Sequence, residues 1–505
     1  MQRFLNNFFL RKTDSRIFWV ITAFIFKGLI FAFLLYRHDY NTIPGFWGGT
    51  GGDTPSYLLP IENLIKTGHY TPDLRMPGYG ILYFPFAYLF TKAAACNLLI
   101  ILQYIVAALT VYPLALIALH LFKSDKVFYL TFYLYAISTY TSLFDDMLYS
   151  ESFTVSFLIL SVFFLLKSFQ PETRHERVYL FLSGLFFTET FFLRPVFIPL
   201  IAVYVTVLVL HSVRLRSKKN LMLRLLILVS PVLLFDGIWI ARNYAIYHRV
   251  IPTMKSIYSP EIENSYQGPL NTFVKSWGGS EVYWDPRADI RWFMPESALA
   301  MPHPIQSKAI TLPDYIYTSK FNLDSLQLLK RQLSLYLATG TDSIKDSLRR
   351  KALLATVRAK CKRYTQSVKQ EKPFLYYIAA PLILTKKFLI HSGTYNLFNV
   401  PAARLGTWLL AVKIFYSGLY LFILAFGAAA VLILAKPSLQ CFPVALITSI
   451  VIYTVIVHPI LLGKCEARYF VPAYPFMLVC AVYMVSLAAS RFYKFKSEDT
   501  LQGKV

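Results

Sequence analysis

The chain has 505 residues, of which 56% are hydrophobic, 17% aromatic and only 15% charged. Several apolar runs approach the roughly 20 residues needed to cross a bilayer, so the composition excludes a set of soluble domains and predicts an all-α polytopic membrane protein. The net charge of +24 is scattered between these runs. No single basic stripe forms, which argues against nucleic-acid binding, and the cysteines show neither paired nor metal-ligand spacing.

A basic segment precedes the first hydrophobic run, residues 17–36. This run is too long for a typical signal-peptide core and lacks a small-residue cleavage site, so we interpret it as a first transmembrane helix that also targets the chain. Positive charge beside a first span marks the cytoplasmic side, which places the following loop on the far face. The apolar stretch 78–94 after that loop is short and interrupted by Pro85, which predicts an interfacial or re-entrant segment.

Further apolar runs predict spans of alternating direction, because lysines and arginines gather in every second connection. These runs are residues 97–121, 127–144, 149–166, 178–193, 195–213, 221–240, 407–435, 441–461 and 469–490. With the interrupted segments they give about 10–13 spans, and both termini are expected in the cytoplasm.

The longest polar region, residues 242–405, gains tryptophans, prolines and charges and is expected to lie outside the cytoplasm. Within it, residues 342–369 place apolar side chains at helical spacing opposite Lys and Arg, which predicts an amphipathic helix in a mainly helical outer region. The expected organisation is a membrane bundle over 1–241 with its first outer loop at 37–96, the extracytoplasmic region, and membrane spans with a cytoplasmic tail over 406–505.

Residues 48–80, GGTGGDTPSYLLPIENLIKTGHYTPDLRMPGYG, form a polar loop between hydrophobic runs. Its first glycines let the backbone pass close to another surface, and residues 56–70 have the spacing of a short interfacial helix. The loop presents one early carboxylate, Asp53, and one later guanidinium, Arg75, before a Pro-Gly turn. The structural alternatives are a turn residue at Asp53 and a headgroup anchor at Arg75.

Four other stretches accompany this loop. They are FDDMLYSESF (144–153), FLRP (192–195), WIARNY (239–244) and HPILLGKCEARYFVPAYPF (458–476). Together and in this order, the five stretches resemble the polyprenyl-phosphate-sugar-dependent glycosyltransferases of the GT-C superfamily. The relatives they are most similar to are the protein O-mannosyltransferases and the lipid A aminoarabinose transferases. The resemblance implies a GT-C type transmembrane helix bundle.

The resemblance also implies roles for individual acidic and basic residues. Asp53 matches the catalytic aspartate, and Arg75 matches the cation that holds the donor phosphate. Glu151 matches the acid of the second outer loop, with Asp145 or Asp146 as substrate or metal contacts. A solvated aspartate titrates near about 4, so partial burial is expected to give Asp53 the near-neutral pKa of a working base.

Near the last span, Arg468 and Tyr469 match the family's Arg-Tyr pair, and His458 matches its nearby histidine. The resemblance implies that Arg468 helps to hold the donor phosphate and that Tyr469 and His458 contact substrate. The sequence also departs from its relatives. Thr54 stands where the O-mannosyltransferases have a glutamate, and Arg75 stands where the aminoarabinose transferases use lysine. A related but different donor or acceptor is therefore expected. The structural alternatives are helix capping for Glu151 and interfacial anchoring for Arg468.

The implied reaction is inverting transfer of a sugar from an undecaprenyl or dolichyl phosphate carrier to a lipid, polysaccharide or protein acceptor. The implied location is the extracytoplasmic face of a plasma membrane, such as the bacterial inner membrane. No cofactor is required, although the chemistry is compatible with a divalent metal. The alternative from another class is a transporter or flippase of lipid-linked saccharides, which commonly has broken helices in matching halves. We find no such internal repeat.

Isolated ionisable residues elsewhere carry weaker hypotheses. Lys27, Asp236 and Lys413 fall in or near predicted spans, where a charge is a functional candidate by default. For the two lysines, snorkelling or helix packing is the preferred interpretation. His303 and His391 are isolated in the outer region, and a structural role is favoured over metal binding.

Overall fold

The structure is a computed structural model of the chain. It describes residues 16–37, 41–170, 174–214, 220–254, 265–295, 310–340, 343–394, 397–398, 402–435 and 442–502, with side chains up to residue 489 in the last helix. His303 and Cys441 lie outside these ranges. Within them the chain is built from helices, with two isolated β-bridges and no sheet.

The helices follow one another with short connections through most of the chain. In chain order they are α1 (Arg16–Arg37), α2 (Thr54–Thr67), α3 (Gly78–Leu89), α4 (Lys92–Phe122), α5 (Asp125–Ile137), α6 (Thr139–Ser142), α7 (Glu151–Ser168), α8 (Glu176–Leu193), α9 (Leu200–Arg214), α10 (Leu221–Tyr247), α11 (Gln267–Lys275), α12 (Leu323–Ala338), α13 (Ile344–Glu371), α14 (Ala380–Leu389), α15 (Thr407–Leu434), α16 (Phe442–Val455) and α17 (Tyr474–Gln502).

Seven helices of the described chain are long and apolar enough to cross a membrane. They are α1, α4, α7, α9 with the turn before it, α10, α15, and α16 with the π-helical turn Ile456–Leu461 after it. The protein is therefore an all-α, multi-pass membrane protein, as its composition predicts. The total of 10–13 spans stays a prediction, because it also counts segments such as α3 and α5, which have 12 and 13 residues.

The run 127–144, which we expected to be one span, is divided in two. Helix α5 ends at Ile137 and the short α6 begins at Thr139. Serines and threonines fill the junction, and Ser142 Oγ donates to the Ser138 carbonyl oxygen at 3.1 Å. Hydroxyl groups that bond the local backbone compete with a continuous helix, which explains the break. It turns the chain into the loop that carries Asp145, Asp146 and Glu151.

Helix α8 packs between α7 and α10 through small and polar residues. The hydroxyls of Ser161 and Ser183 each donate to the other residue's carbonyl oxygen at 2.9 Å. A Cβ at Gly184 would lie 2.1 Å from the carbonyl oxygen of Leu228, so only glycine permits this approach of α8 to α10. Such contacts are typical of helices that pack within a membrane, where apolar burial against lipid gives no driving force.

A second buried cluster lies among α11, α12 and α13, which we call the polar helical region. Trp277, Phe273 and Leu333 are in its core, and Trp284 and Trp292 pack against it. The expected helix is confirmed as α13, whose N-cap hydroxyl on Ser343 accepts from the Asp346 amide at 3.0 Å. Its apolar face is buried only over 357–368, and Ile344 and Leu348 are exposed. The tryptophans therefore serve this region's own core.

The polar helical region is joined to the segment that precedes α17. Cys465 belongs to the region's buried cluster, although it comes from the membrane part of the sequence. Lys464 pairs with Glu281 at 3.0 Å, and Lys275 Nζ donates to the Leu462 carbonyl oxygen at 2.9 Å. These contacts hold residues 462–468 in place, and Arg468 with them.

Candidate active site

The first polar loop docks on the loop before α7 through backbone hydrogen bonds. The Gly49 amide donates to the Asp146 carbonyl oxygen, and the Leu148 amide donates to the Gly49 carbonyl oxygen, both at 2.9 Å. A Cβ at Gly48 would lie 2.1 Å from the Asp146 carbonyl oxygen, and one at Gly51 would lie 1.7 Å from the Tyr149 hydroxyl. The glycines thus permit the close approach that their pattern predicts.

Asp53 lies at the start of α2 and holds two arginines with its two carboxylate oxygens. Oδ1 accepts from Arg75 at 2.7 Å, and Oδ2 accepts from Arg468 at 2.7 Å. The Asp53 side chain is 28% exposed, so it is sheltered but open to a ligand. Asp53 and Arg75 of the first polar loop therefore meet Arg468, which lies 415 positions after Asp53 in the chain.

Arg75 is fixed by the first turn of α2 as well as by Asp53. Its Nε donates to Ser56 Oγ at 2.6 Å, and one terminal nitrogen donates to the Tyr57 hydroxyl at 3.2 Å. The guanidinium also lies over the Tyr57 ring, 4.5 Å from its centroid. Arg75 points into the protein and is oriented at all three nitrogens, which disfavours its alternative role as a headgroup anchor.

Arg468 connects Asp53 to two further carboxylates. Its Nε pairs with Glu466, and its NH1 lies 3.7 Å from Glu151 Oε1. Glu151 is fully buried and pairs with Arg194. Opposite charges thus alternate from one side chain to the next, which is how buried charges are compensated.

We call this set the charge cluster. It contains three carboxylates and three guanidinium groups, those of Asp53, Glu151, Glu466, Arg75, Arg194 and Arg468. Arg194 and Glu466 lie in stretches that the sequence singled out, FLRP and KCEARYF, but neither was selected as a site residue. The signal for both is a charge at the end of a hydrophobic run.

Tyr469 and His458 form an aromatic wall beside the charge cluster. The Tyr469 ring centroid lies 5.2 Å from the Arg194 guanidinium and 5.4 Å from that of Arg468. The His458 imidazole stacks on Tyr469 at 5.0 Å between ring centroids. His458 thus contacts the cluster through Tyr469.

Asp145 and Asp146 are both buried in the loop that precedes α7. Ser152 donates to Asp145 Oδ1 at 2.6 Å, and Asp146 meets the first loop through its backbone carbonyl. Burial raises the pKa of Asp145 to about 7, against the opposing charge of Lys27. Lys27 is itself buried and donates to Ser142 Oγ at 2.6 Å, so it packs inside the bundle and does not snorkel.

The pKa of Asp53 moves in the opposite direction to our expectation. Burial raises this pKa, but the guanidinium groups of Arg75 and Arg468 lower it more, so it lies below the usual value for aspartate. The expected near-neutral pKa is therefore wrong for the site as it stands, because that expectation considered burial without the two ion pairs. Burial has the larger effect at Glu466, whose pKa is raised.

Arg242 holds the first polar loop from its far side. It pairs with Asp73 at 2.7 Å and donates to the Tyr70 carbonyl oxygen at 3.2 Å, and Tyr247 also donates to Asp73. These contacts explain why α10 continues beyond the expected end at residue 240. Arg242 therefore holds this loop against the end of α10.

The geometry permits two chemical tasks at one place. Guanidinium groups can bind a phosphate through charge-assisted hydrogen bonds, and a carboxylate among them can accept a proton once it is released. Among the described residues, no group of three or more His, Cys, Asp and Glu side chains is placed to hold a metal ion.

By its fold and site, the chain is a helical membrane protein whose loops converge on a compact charge cluster. No protein family and no curated protein matches it. Among solved structures, it is similar to an Archaeoglobus fulgidus oligosaccharyltransferase in complex with an inhibitory peptide and a dolichol-phosphate, with a TM-score of 0.46 and 14% identity over 97% of this chain and 52% of that one.

The oligosaccharyltransferase of the same organism in complex with Zn and sulfate gives a TM-score of 0.48 and 13% identity, over 93% of this chain and 50% of that chain. The chain therefore spans about half the length of the structures it matches.

The contact between the two loops predicts a specific glycine requirement. Gly48→Ala places a methyl group against the Asp146 backbone, so we expect unfolding in detergent to become easier by about 1–3 kcal/mol. Gly52→Ala is the control, because a Cβ there meets nothing within 4 Å, and its effect should stay within about 0.5 kcal/mol. Equal effects of the two variants would contradict the close docking.

The lowered pKa of Asp53 predicts how its ion pairs depend on pH. The stability they contribute should be fully present above the unfolded pKa of about 3.9 and lost as pH falls through the folded value. The melting temperature of the native protein minus that of Asp53→Asn should therefore be constant near neutral pH and shrink in acid. Asp285→Asn, whose partner Arg287 is 80% exposed, should change little. A difference that grows in acid would refute the pairing.

Proposed function

We propose that this protein is an integral membrane glycosyltransferase of the GT-C type that moves a sugar from a polyprenyl phosphate carrier to an acceptor. The observation that carries the proposal is the Asp53 carboxylate held between Arg75 and Arg468. Transfer from a lipid phosphate needs a base for the acceptor hydroxyl and cations for the departing phosphate. The charge cluster offers both.

The depth of the cluster suits a donor whose tail stays in lipid. Glu151, which lies 3.7 Å from Arg468, is the first residue of the membrane-spanning helix α7. The arginines thus lie at the level where a membrane helix begins, which is where the phosphate of a lipid carrier is found. We propose that this phosphate binds Arg75 and Arg468.

Donor binding would also activate the base. The phosphate competes with Asp53 for the same guanidinium nitrogens, so the carboxylate is released from its ion pairs as the phosphate is bound. Loss of these pairs and the new negative charge both raise the pKa of Asp53, and its burial acts in the same direction. The base then gains proton affinity when the donor is in place.

The reaction is a single displacement at the anomeric carbon. The acceptor oxygen bonds to that carbon as the bond between carbon and phosphate oxygen breaks, and the hydroxyl proton moves to Asp53. The polyprenyl phosphate leaves on Arg75 and Arg468. Glu151, Glu466 and the Tyr469 side chain orient Arg468, and the transfer inverts the anomeric centre.

The finer assignments are parts of the same proposal. The carrier is undecaprenyl or dolichyl phosphate, the sugar is a hexose or pentose, and the acceptor is a lipid, polysaccharide or protein. The site faces away from the cytoplasm of a plasma or bacterial inner membrane, both termini are cytoplasmic, and residues 242–405 present the acceptor. We also propose that the protein is related to the group of the protein O-mannosyltransferases and lipid A aminoarabinose transferases.

Replacement of Asp53 tests the proposal directly. Asp53→Asn keeps the side-chain shape but removes the base, so we expect transfer to fall by about 10²–10⁴-fold. In cells, mass spectrometry should then find one polyprenyl phosphate sugar accumulating and one glycan modification lost. Asp125→Asn, at the exposed start of α5, should resemble the native protein at equal expression. Native behaviour of Asp53→Asn would make Asp53 only a structural residue.

A flippase would also accumulate lipid-linked sugar when it fails, so a second assay separates the two classes. Purified protein in detergent receives the accumulated lipid and the identified acceptor, with no bilayer between compartments. A transferase forms product under these conditions and loses it with Asp53→Asn. If the native protein forms no product there but restores the glycan in cells, the flippase explains the data.

Base activation by the donor predicts two different acid limbs. The pH dependence of kcat/KM for the donor reports Asp53 in the enzyme without donor, where its pKa is lowered. The pH dependence of kcat reports Asp53 in the complex with bound donor. We expect the acid limb of kcat to lie at higher pH than that of kcat/KM by about 1 unit or more. Coincident limbs would show that donor binding leaves the Asp53 ion pairs intact.

A further inference from the structure

The segment 374–390 is a helix with an unusual surface. It consists of the π-helical turn Leu375–Ala379 followed by α14 (Ala380–Leu389). No charged residue occurs from Phe374 to Thr385, although the segment follows the strongly basic α13. It is too short to cross a bilayer of about 30 Å.

Both faces of this segment are apolar. Ala380, Leu384 and Phe388 form its buried face. The opposite face is exposed and carries Phe374, Tyr377, Ile378, Leu382 and Ile390, with Leu382 63% exposed. A helix that faces water normally has a polar side, and a contiguous exposed apolar face marks an interaction surface.

The buried face places the segment beside the end of a membrane span. It packs against the π-helical turn Ile456–Leu461, where the span ends, and against the turn Ala467–Phe470 that carries Arg468. Phe388 meets the Phe470 ring at 5.8 Å between centroids. Leu461 and Leu462, at the end of the span, are exposed too. The exposed face of 374–390 thus lies next to the lipid-facing surface of the bundle.

The residues around the apolar face are those typical of a membrane surface. Lys369 lies 5.8 Å from the ring centroids of both Tyr376 and Tyr377. Lys372 precedes the face and donates to the Tyr315 carbonyl oxygen at 2.6 Å. The exposed Lys386 lies towards the other end of the face. Tyrosines at headgroup depth and lysines that reach from apolar surface to phosphate are the pattern found at membrane interfaces.

We propose that segment 374–390 is a membrane-surface anchor whose exposed face lies in the lipid leaflet next to the charge cluster. Lys369 and Lys386 contact the lipid phosphates, and the apolar side chains between them contact the acyl chains. Because the other face packs on the turn that carries Arg468, the anchor fixes that guanidinium at headgroup depth. This inference does not depend on the proposed reaction.

The test uses a fluorophore whose emission is quenched by lipids brominated on their acyl chains. Leu382→Cys in the full chain is labelled with NBD and reconstituted into vesicles with or without the brominated lipid, and no donor is added. Tyr377→Cys provides a second position on the same face. The unsubstituted protein is labelled in parallel to measure any signal from its own cysteines.

Two matched controls are available on exposed apolar residues. Leu432, in the span α15, is 75% exposed and should report contact with acyl chains. Ile344, at the far end of α13, is 82% exposed, and the 28 residues of that helix place it about 42 Å from the end that leads into the anchor. Leu432→Cys should be quenched by the lipid, and Ile344→Cys should be quenched by aqueous iodide.

We expect labels at 382 and 377 to lose about as much emission to the brominated lipid as the label at 432, and little to iodide. Quenching like that at 344 would place the face in water and overturn the proposal. Protection from both quenchers would overturn it as well, because a protein surface, from a second copy or another partner, would then cover the face.

Discussion

The pairing of one carboxylate with two guanidinium groups is the constraint on which the functional end of this protein depends. Asp53 comes from the first polar loop, and Arg468 lies 415 positions later in the chain. A sheltered charge without a partner is strongly unfavourable. If either loop left its position, the charge on the other loop would lose its partner. The ion pairs therefore bring two distant parts of the sequence into one site. Gly48 and Gly51 allow the loop that precedes α7 to pack closely beside the first polar loop.

Much of the architecture follows from hydropathy and charge, since long apolar runs have few alternatives to membrane helices. The resemblance of the short polar stretches predicts Asp53, Arg75 and Arg468 as site residues, and the structure brings these three side chains together. Hydropathy alone did not predict that the run 127–144 is divided into two helices. An apolar average hides the hydroxyl groups of 138–142, which act on the local backbone and break the helix.

Other features of the site depend on contacts that no local pattern contains. Arg194 and Glu466 each carry only a general signal, a charge at the end of a hydrophobic run, and their pairing with Glu151 and Arg468 is visible only in the fold. The pKa of Asp53 shows the same limit in electrostatic terms. Burial of an aspartate can be anticipated from its surroundings, but the sign of the shift depends on how many cations face it. At Asp53, Arg75 and Arg468, with a smaller effect from Arg194, lower the pKa by more than burial raises it.

Cys465 shows that the polar helical region includes residues from the segment that precedes α17. It lies three positions before Arg468, yet its side chain belongs to the core of the polar helical region, and Lys464 pairs with Glu281 there. That region is therefore not an interchangeable unit ending where the membrane helices resume. A chimera that replaces this region with a relative's counterpart also has to replace residues 462–468. Otherwise the new core lacks the side chain at position 465, and Arg468 loses the contacts that hold its segment in place.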